Sequence, residues 1–110
     1  MSSHDIVRTY KKNEFKGDNL YKGKYMGITG RLDRVAEDLG GEPFLTIKAG
    51  RSSFRSVQCF FENKDREMLS KLNPNSKILA IGKVRGLFAN VILDDCYFSD
   101  ELDERYGYKR

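Results

Sequence analysis

Two hydrophobic rhythms run along the chain: a helical spacing at its start and past its middle, and strand-like alternation almost everywhere else. In HDIVRTYKKNEFK, residues 4–16, Ile6, Val7 and Tyr10 fall at helical spacing behind the candidate caps Ser2 and Ser3. This predicts a short N-terminal helix or arm ending near Gly17. KYMGITGRLDRV then alternates, with Met26, Ile28 and Leu32 on one side and Tyr25, Thr29 and Arg31 on the other, as in a half-buried strand. Gly27 and Gly30 within it predict sharp curvature, as at a barrel corner.

EDLGGEP has the composition of a turn. FLTIKA is expected as a second strand, with Leu45 and Ile47 inward and Phe44, Thr46 and Lys48 outward. After the loop GRSSF, RSVQCFFE forms a third, directing Val57, Cys59 and Phe61 inward and Gln58 and Phe60 outward. Neighbouring strand residues point to opposite faces, so Phe60 and Phe61 cannot share one core. Phe60 is then either a platform for a partner or, beside Phe44, a ring buried under the N-terminal arm against Tyr10 and Phe15.

NKDREMLSKLNP reads as the internal helix. Asn63 is its N-cap candidate, Asp65 and Glu67 suit its first turn, Met68, Leu69 and Leu72 form an apolar stripe, and Pro74 follows its end. KILAIGKVRG and NVILDDCYFS are the fourth and fifth strands, joined by GLFAN, where Phe88 has the option of folding back over the barrel end. Three successive antiparallel strands, then a helix before the fourth, is the topology of the OB-fold, a five-stranded Greek-key barrel. The expected class is therefore all-β with accessory helices. One domain is expected over 1–110: an N-terminal helix or arm at 1–21, the barrel at 22–99 and a polar acidic tail at 100–110.

At 110 residues the chain has room for one modest core. Its net charge of +4 is unevenly spread: residues 1–93 hold 17 Lys/Arg against 10 Asp/Glu (+7), and residues 94–110 hold 3 against 6 (−3). A basic body is compatible with a polyanionic partner, and the acidic tail could mimic that polyanion. No apolar run approaches the roughly 20 residues of a membrane span. The N-terminal stretch lacks the apolar core of a signal peptide, so a cytoplasmic location is expected, or an envelope location if a leader has been removed. Cys59 and Cys96 have neither a CxxC partner nor a nearby His, so they are expected as buried thiols rather than zinc ligands.

Catalytic material is sparse. His4 is the single histidine, Asp94 and Asp95 are neighbours on one strand and so face apart, and GRSSF does not fit a phosphate-cradling loop. No enzyme activity, cofactor or metal is expected.

Tyr10, Asn13 and Glu14, then YKGKYMGITGRL at 21–32, EPFLTI at 42–47, VQCFF at 57–61, KILAIGKVRG at 77–86 and VILDDC at 91–96 make an ordered set over about residues 10–98. In these the chain resembles the tRNA_anti-like group of small bacterial OB-fold domains, several of which carry lipoprotein or membrane anchors. The resemblance implies the OB-fold; nucleic-acid binding in the group is mostly an inference from fold.

OB-folds commonly hold single strands on the outer face of strands 2 and 3 and the flanking loops. The outward candidates here are Tyr25, Arg31, Phe44, Lys48 and Phe60. The loop between strands 2 and 3 adds Arg51, Phe54 and Arg55, and the fourth strand adds Lys83 and Arg85. Rings would stack bases and cations would follow phosphates. Single-stranded nucleic acid, DNA or RNA, is the leading partner; a protein held on the same face is the alternative.

Overall fold

The computed structural model of the chain describes residues 1–50 and 55–98. Helix α1, Ser3–Lys12, is capped by the Ser2 hydroxyl, which accepts the Asp5 N–H at 3.0 Å. Asp5 in its first turn and Lys11 and Lys12 in its last match the helix dipole. The chain then breaks at Asn13, whose side chain caps a second helix, α2, Glu14–Tyr21, by accepting the Lys16 N–H at 3.1 Å. The single helix expected to end near Gly17 is thus two helices, because Asn13 offers a cap in mid-segment. Gly17 lies inside α2 and lets it close on α1: a Cβ there would sit 2.5 Å from the Tyr10 ring.

Five strands follow: β1 (Tyr25–Glu37), β2 (Pro43–Lys48), β3 (Ser56–Phe60), β4 (Lys77–Phe88) and β5 (Asn90–Phe98). They close into a barrel in the order β1-β2-β3-β5-β4, with β3 and β5 parallel and every other pair antiparallel. This is the expected OB barrel. Between β3 and β4 lie a 3-10 turn, Asn63–Asp65, and a short helix, α3, Arg66–Ser70. The expected helix is shorter than its apolar stripe. Its cap is also displaced: the Asp65 carboxylate accepts the Glu62 N–H at 3.1 Å, while Asn63 accepts from Arg66 Nε at 2.9 Å.

Ile28, Leu32, Leu45, Ile47, Val57, Cys59, Phe61, Val84, Val91 and Leu93 fill the barrel and are buried. Each such aliphatic side chain contributes about 1.5–3 kcal/mol on leaving water. α1 adds Ile6, Val7 and Tyr10 to this core, and α3 adds Leu69. The two helices serve opposite ends of β2: Ser3 Oγ donates to the Lys48 carbonyl at its end, and Leu69 lines a cavity with Pro43 at its start. The N-terminus also extends the sheet. Met1 O accepts the Thr29 N–H at 2.9 Å, and Ser2 bridges Thr29 in parallel. Gly30 permits this approach, since a Cβ there would lie 2.6 Å from Ser3 Oγ.

Cys59 and Cys96 are free, buried and in mutual contact within the core. Burial, with the Cys59 thiol next to it, pushes the Cys96 thiol far above its ordinary range. Cys96 is therefore a protonated core group and a poor nucleophile.

Candidate nucleic-acid interface

The barrel carries its candidate site on the outer face of β2 and β3. Direct cross-strand partners there are Phe44 with Phe60, Thr46 with Gln58, and Lys48 with Ser56. Lys48 lies four positions along β2 from Phe44, so one continuous ladder of about 13 Å joins an aromatic end to a cationic end.

At the aromatic end the Phe44 and Phe60 rings meet edge to face, with centroids 5.5 Å apart. With Ile92 and Ala36 they form a cluster separate from the barrel core. Phe44 is 5% exposed and Phe60 7%. The N-terminal arm does not provide this cover. Tyr10 is in the barrel core, and Phe15 is 84% exposed. Two guanidinium groups lie on the rings instead: Arg34 Cζ is 5.5 Å from the Phe44 centroid, and Arg85 Cζ is 5.4 Å from that of Phe60. Both readings of Phe60 are thus corrected. It is neither a bare platform nor a ring under the arm, but the inner layer of a cation-on-ring stack.

The two arginines differ in their tethers. Arg85 is held by Asp94 through two hydrogen bonds, Nη2 to Oδ1 at 2.6 Å and Nε to Oδ2 at 3.0 Å. Asp94 raises the Arg85 pKa, chiefly through these bonds. Arg34 has no carboxylate within ion-pair distance among the described residues. Sequence alternation missed Arg34 because strict parity from Leu32 would send it inward. The register shifts between Leu32 and Arg34, and the bulge turns Arg34 and Ala36 onto the outer face.

At the cationic end a cavity of about 630 Å³ is lined by Gly30, Arg31, Asp33, Lys48, Gly50 and Arg55, with Ala49 and Ser56. Three candidate cations from separate strands or loops, Arg31, Lys48 and Arg55, therefore share one wall. Asn75 holds two of them: Arg31 Nη1 donates to its carbonyl at 3.3 Å, and Lys48 Nζ to its Oδ1 at 2.7 Å. Asn75 achieves this with a left-handed backbone, φ 71°, which asparagine tolerates better than most residues. Arg55 Nη1 donates to the Ala89 carbonyl at 2.7 Å, fixing the start of β3 to the β4–β5 turn. Asp33 accepts from the Thr46 hydroxyl at 3.1 Å.

The remaining candidates lie elsewhere. Tyr25 and Lys83 are cross-strand partners on the β1–β4 ladder and do not line this cavity. Arg51 and Phe54 lie outside the described residues, as does the acidic tail beyond Phe98. Phe88 is 77% exposed and does not fold back over the barrel end. Among the described residues no group of His, Cys, Asp and Glu converges as a metal site, and no helix is long and apolar enough to cross a membrane.

A closed barrel with a helix between its third and fourth strands, and a basic and aromatic outer face on the second and third, defines an OB-type domain. The chain matches the tRNA_anti-like family over residues 1–97 and belongs to it. Among solved structures it is similar to a lipoprotein of Klebsiella pneumoniae proposed to bind nucleic acid, with a TM-score of 0.70 at 13% identity. The likeness covers 89% of this chain and 90% of that one, and at this identity it speaks for the fold alone. No curated protein matches the chain.

Proposed function

We propose that this domain is a non-catalytic module that binds single-stranded DNA or RNA, with little sequence preference, along the outer face of β2 and β3. The observation that carries the reading is the ladder from Phe44–Phe60 to Lys48–Ser56, which joins ring-backed guanidinium groups to a cavity lined by Arg31, Lys48 and Arg55. Bases would stack on the Arg34 guanidinium plane, backed by Phe44. Phosphates would follow Arg31, Lys48 and Arg55. The family and the similar lipoprotein agree with such a role. Fluorescence-anisotropy titration of labelled single-stranded DNA and RNA at low and high salt tests it. Binding that weakens with salt is expected; no binding by folded protein at low salt would sink the reading.

A protein partner is the second reading. The specific observation in its favour is that Phe15 and Phe88 are large rings left mostly exposed. Under this reading Phe15→Ala and Phe88→Ala abolish partner capture and leave oligonucleotide binding unchanged.

A further inference from the structure

Helix α1 presents its basic side chains in one stripe. Ser3, Ile6, Val7 and Tyr10 are buried, and His4, Arg8, Lys11 and Lys12 are exposed. The exposed four follow the spacing i, i+4, i+7 and i+8, so they share one flank of the helix. At a rise of about 1.5 Å per residue the stripe is about 12 Å long, nearly the length of the β2–β3 ladder. Its start is fixed to the cationic end of that ladder. Ser3 Oγ, in the first turn of α1, donates to the carbonyl of Lys48. The His4 ring lies beside Gly50, where a Cβ would come within 3.2 Å of His4 Cδ2. The stripe thus begins where the ladder stops.

We infer that α1 is a second phosphate track, along which a single strand leaving the ladder past Lys48 continues over His4, Arg8, Lys11 and Lys12. The inference rests on the single-strand reading and lengthens its site beyond the barrel strands. The track takes the sugar–phosphate backbone rather than the bases: long cations repeat along a line, with no Phe or Tyr among them. Asp5 lies 3.7 Å from Arg8 and 3.7 Å from His4, and all three are exposed, so this pairing is weak against solvent. Lys11 and Lys12 have no ion-pair partner among the described residues. The helix dipole explains these two lysines in the last turn; it does not explain why the stripe meets the end of β2.

The test titrates the full chain with a labelled thymidine homopolymer of about 16 nucleotides, the upper footprint of one such fold, over a series of salt concentrations. The native chain is compared with a Lys11→Gln, Lys12→Gln double variant and a Lys64→Gln, Lys71→Gln double variant. The second pair removes the same formal charge at the α3 end, from exposed lysines that each face a glutamate, and so controls for long-range attraction. The α1 variant should bind more weakly at low salt. Its slope of log affinity against log salt should be shallower by about 1.4, for two contacts at about 0.7 each. Arg8→Gln repeats the test at mid-helix with a slope change of about 0.7, and thermal melting confirms the fold of every variant. The α3-end variant should match the native chain. A native slope in the folded α1 variants overturns the second track and leaves the single-strand reading standing. Equal loss in the α1 and α3-end variants also overturns the track, since total charge and not contact then sets the affinity. Absence of binding by the folded native chain overturns both readings together.

Discussion

Asp94 grips Arg85 at two points and so holds its guanidinium 5.4 Å over the Phe60 ring. One carboxylate thus both fixes a cation on the outer face and cancels its charge there. Both side chains are partly exposed, so the pair itself contributes only about 0.2–1 kcal/mol after solvent screening. Asp94→Asn is expected to lower stability by no more than that in denaturant titration. It should also tighten single-strand binding and make it more salt-sensitive, since Arg85 becomes available to phosphate. Weaker binding by a folded Asp94→Asn protein would show that the pair is needed intact.

Arg34 supplies the contrasting test, because it stacks on Phe44 and has no ion-pair partner among the described residues. Arg34→Lys keeps the charge and loses the plane; Arg34→Ala loses both. If bases stack on the guanidinium, both variants should lose binding by about 1–3 kcal/mol, the range for base stacking. Full retention by Arg34→Lys would make Arg34 a phosphate contact instead.

Much of this architecture is legible in the sequence because alternation is a local property. Leu45, Ile47, Val57, Cys59 and Phe61 are inward, and Phe44 and Phe60 lie directly opposite on the other face. The opacity comes from non-local features. The bulge after Leu32 moves Arg34 outward, and only the folded register reveals it. Asp95, at φ 54°, similarly resets β5, leaving Asp94 outside and Cys96 within. Alternation placed Phe60 on the outer face but could not identify its cover, because Arg85 is 25 positions away. The gathering of Arg31 and Lys48 depends on Asn75, in a turn that presents no pattern of its own.

Gly82 pairs with Met26 in β4 and leaves the space that Cys96 occupies. A Cβ there would collide with Cys96 Sγ and press within 3.1 Å of the Asp94 carbonyl and Leu93 Cβ. Gly82→Ala is therefore expected to cost about 1–3 kcal/mol by overpacking, read as a lower denaturation midpoint. Unchanged stability would mean that β4 and β5 separate easily at this point.

Tyr10 donates from its hydroxyl to Asp18 Oδ1 at 3.1 Å, and burial, then that bond, raises its pKa well above the ordinary tyrosine range. The folded state thus favours the protonated phenol, while the unfolded state ionises near its reference pKa of about 10. The stability linked to Tyr10 is full below that pH and falls as pH rises above it. Tyr10→Phe should lose about 0.5–1.5 kcal/mol at neutral pH and show a shallower alkaline decline. Identical alkaline curves for both proteins would contradict the Tyr10–Asp18 linkage.

The central claim is that a single strand lies along the β2–β3 ladder, and amide chemical-shift mapping during oligonucleotide titration addresses it most directly. The largest shifts are expected on Phe44, Thr46, Lys48, Ser56, Gln58 and Phe60, with Arg34 and Asn75 beside them. Shifts concentrated around Phe15 and Phe88, with that ladder unmoved, would contradict it.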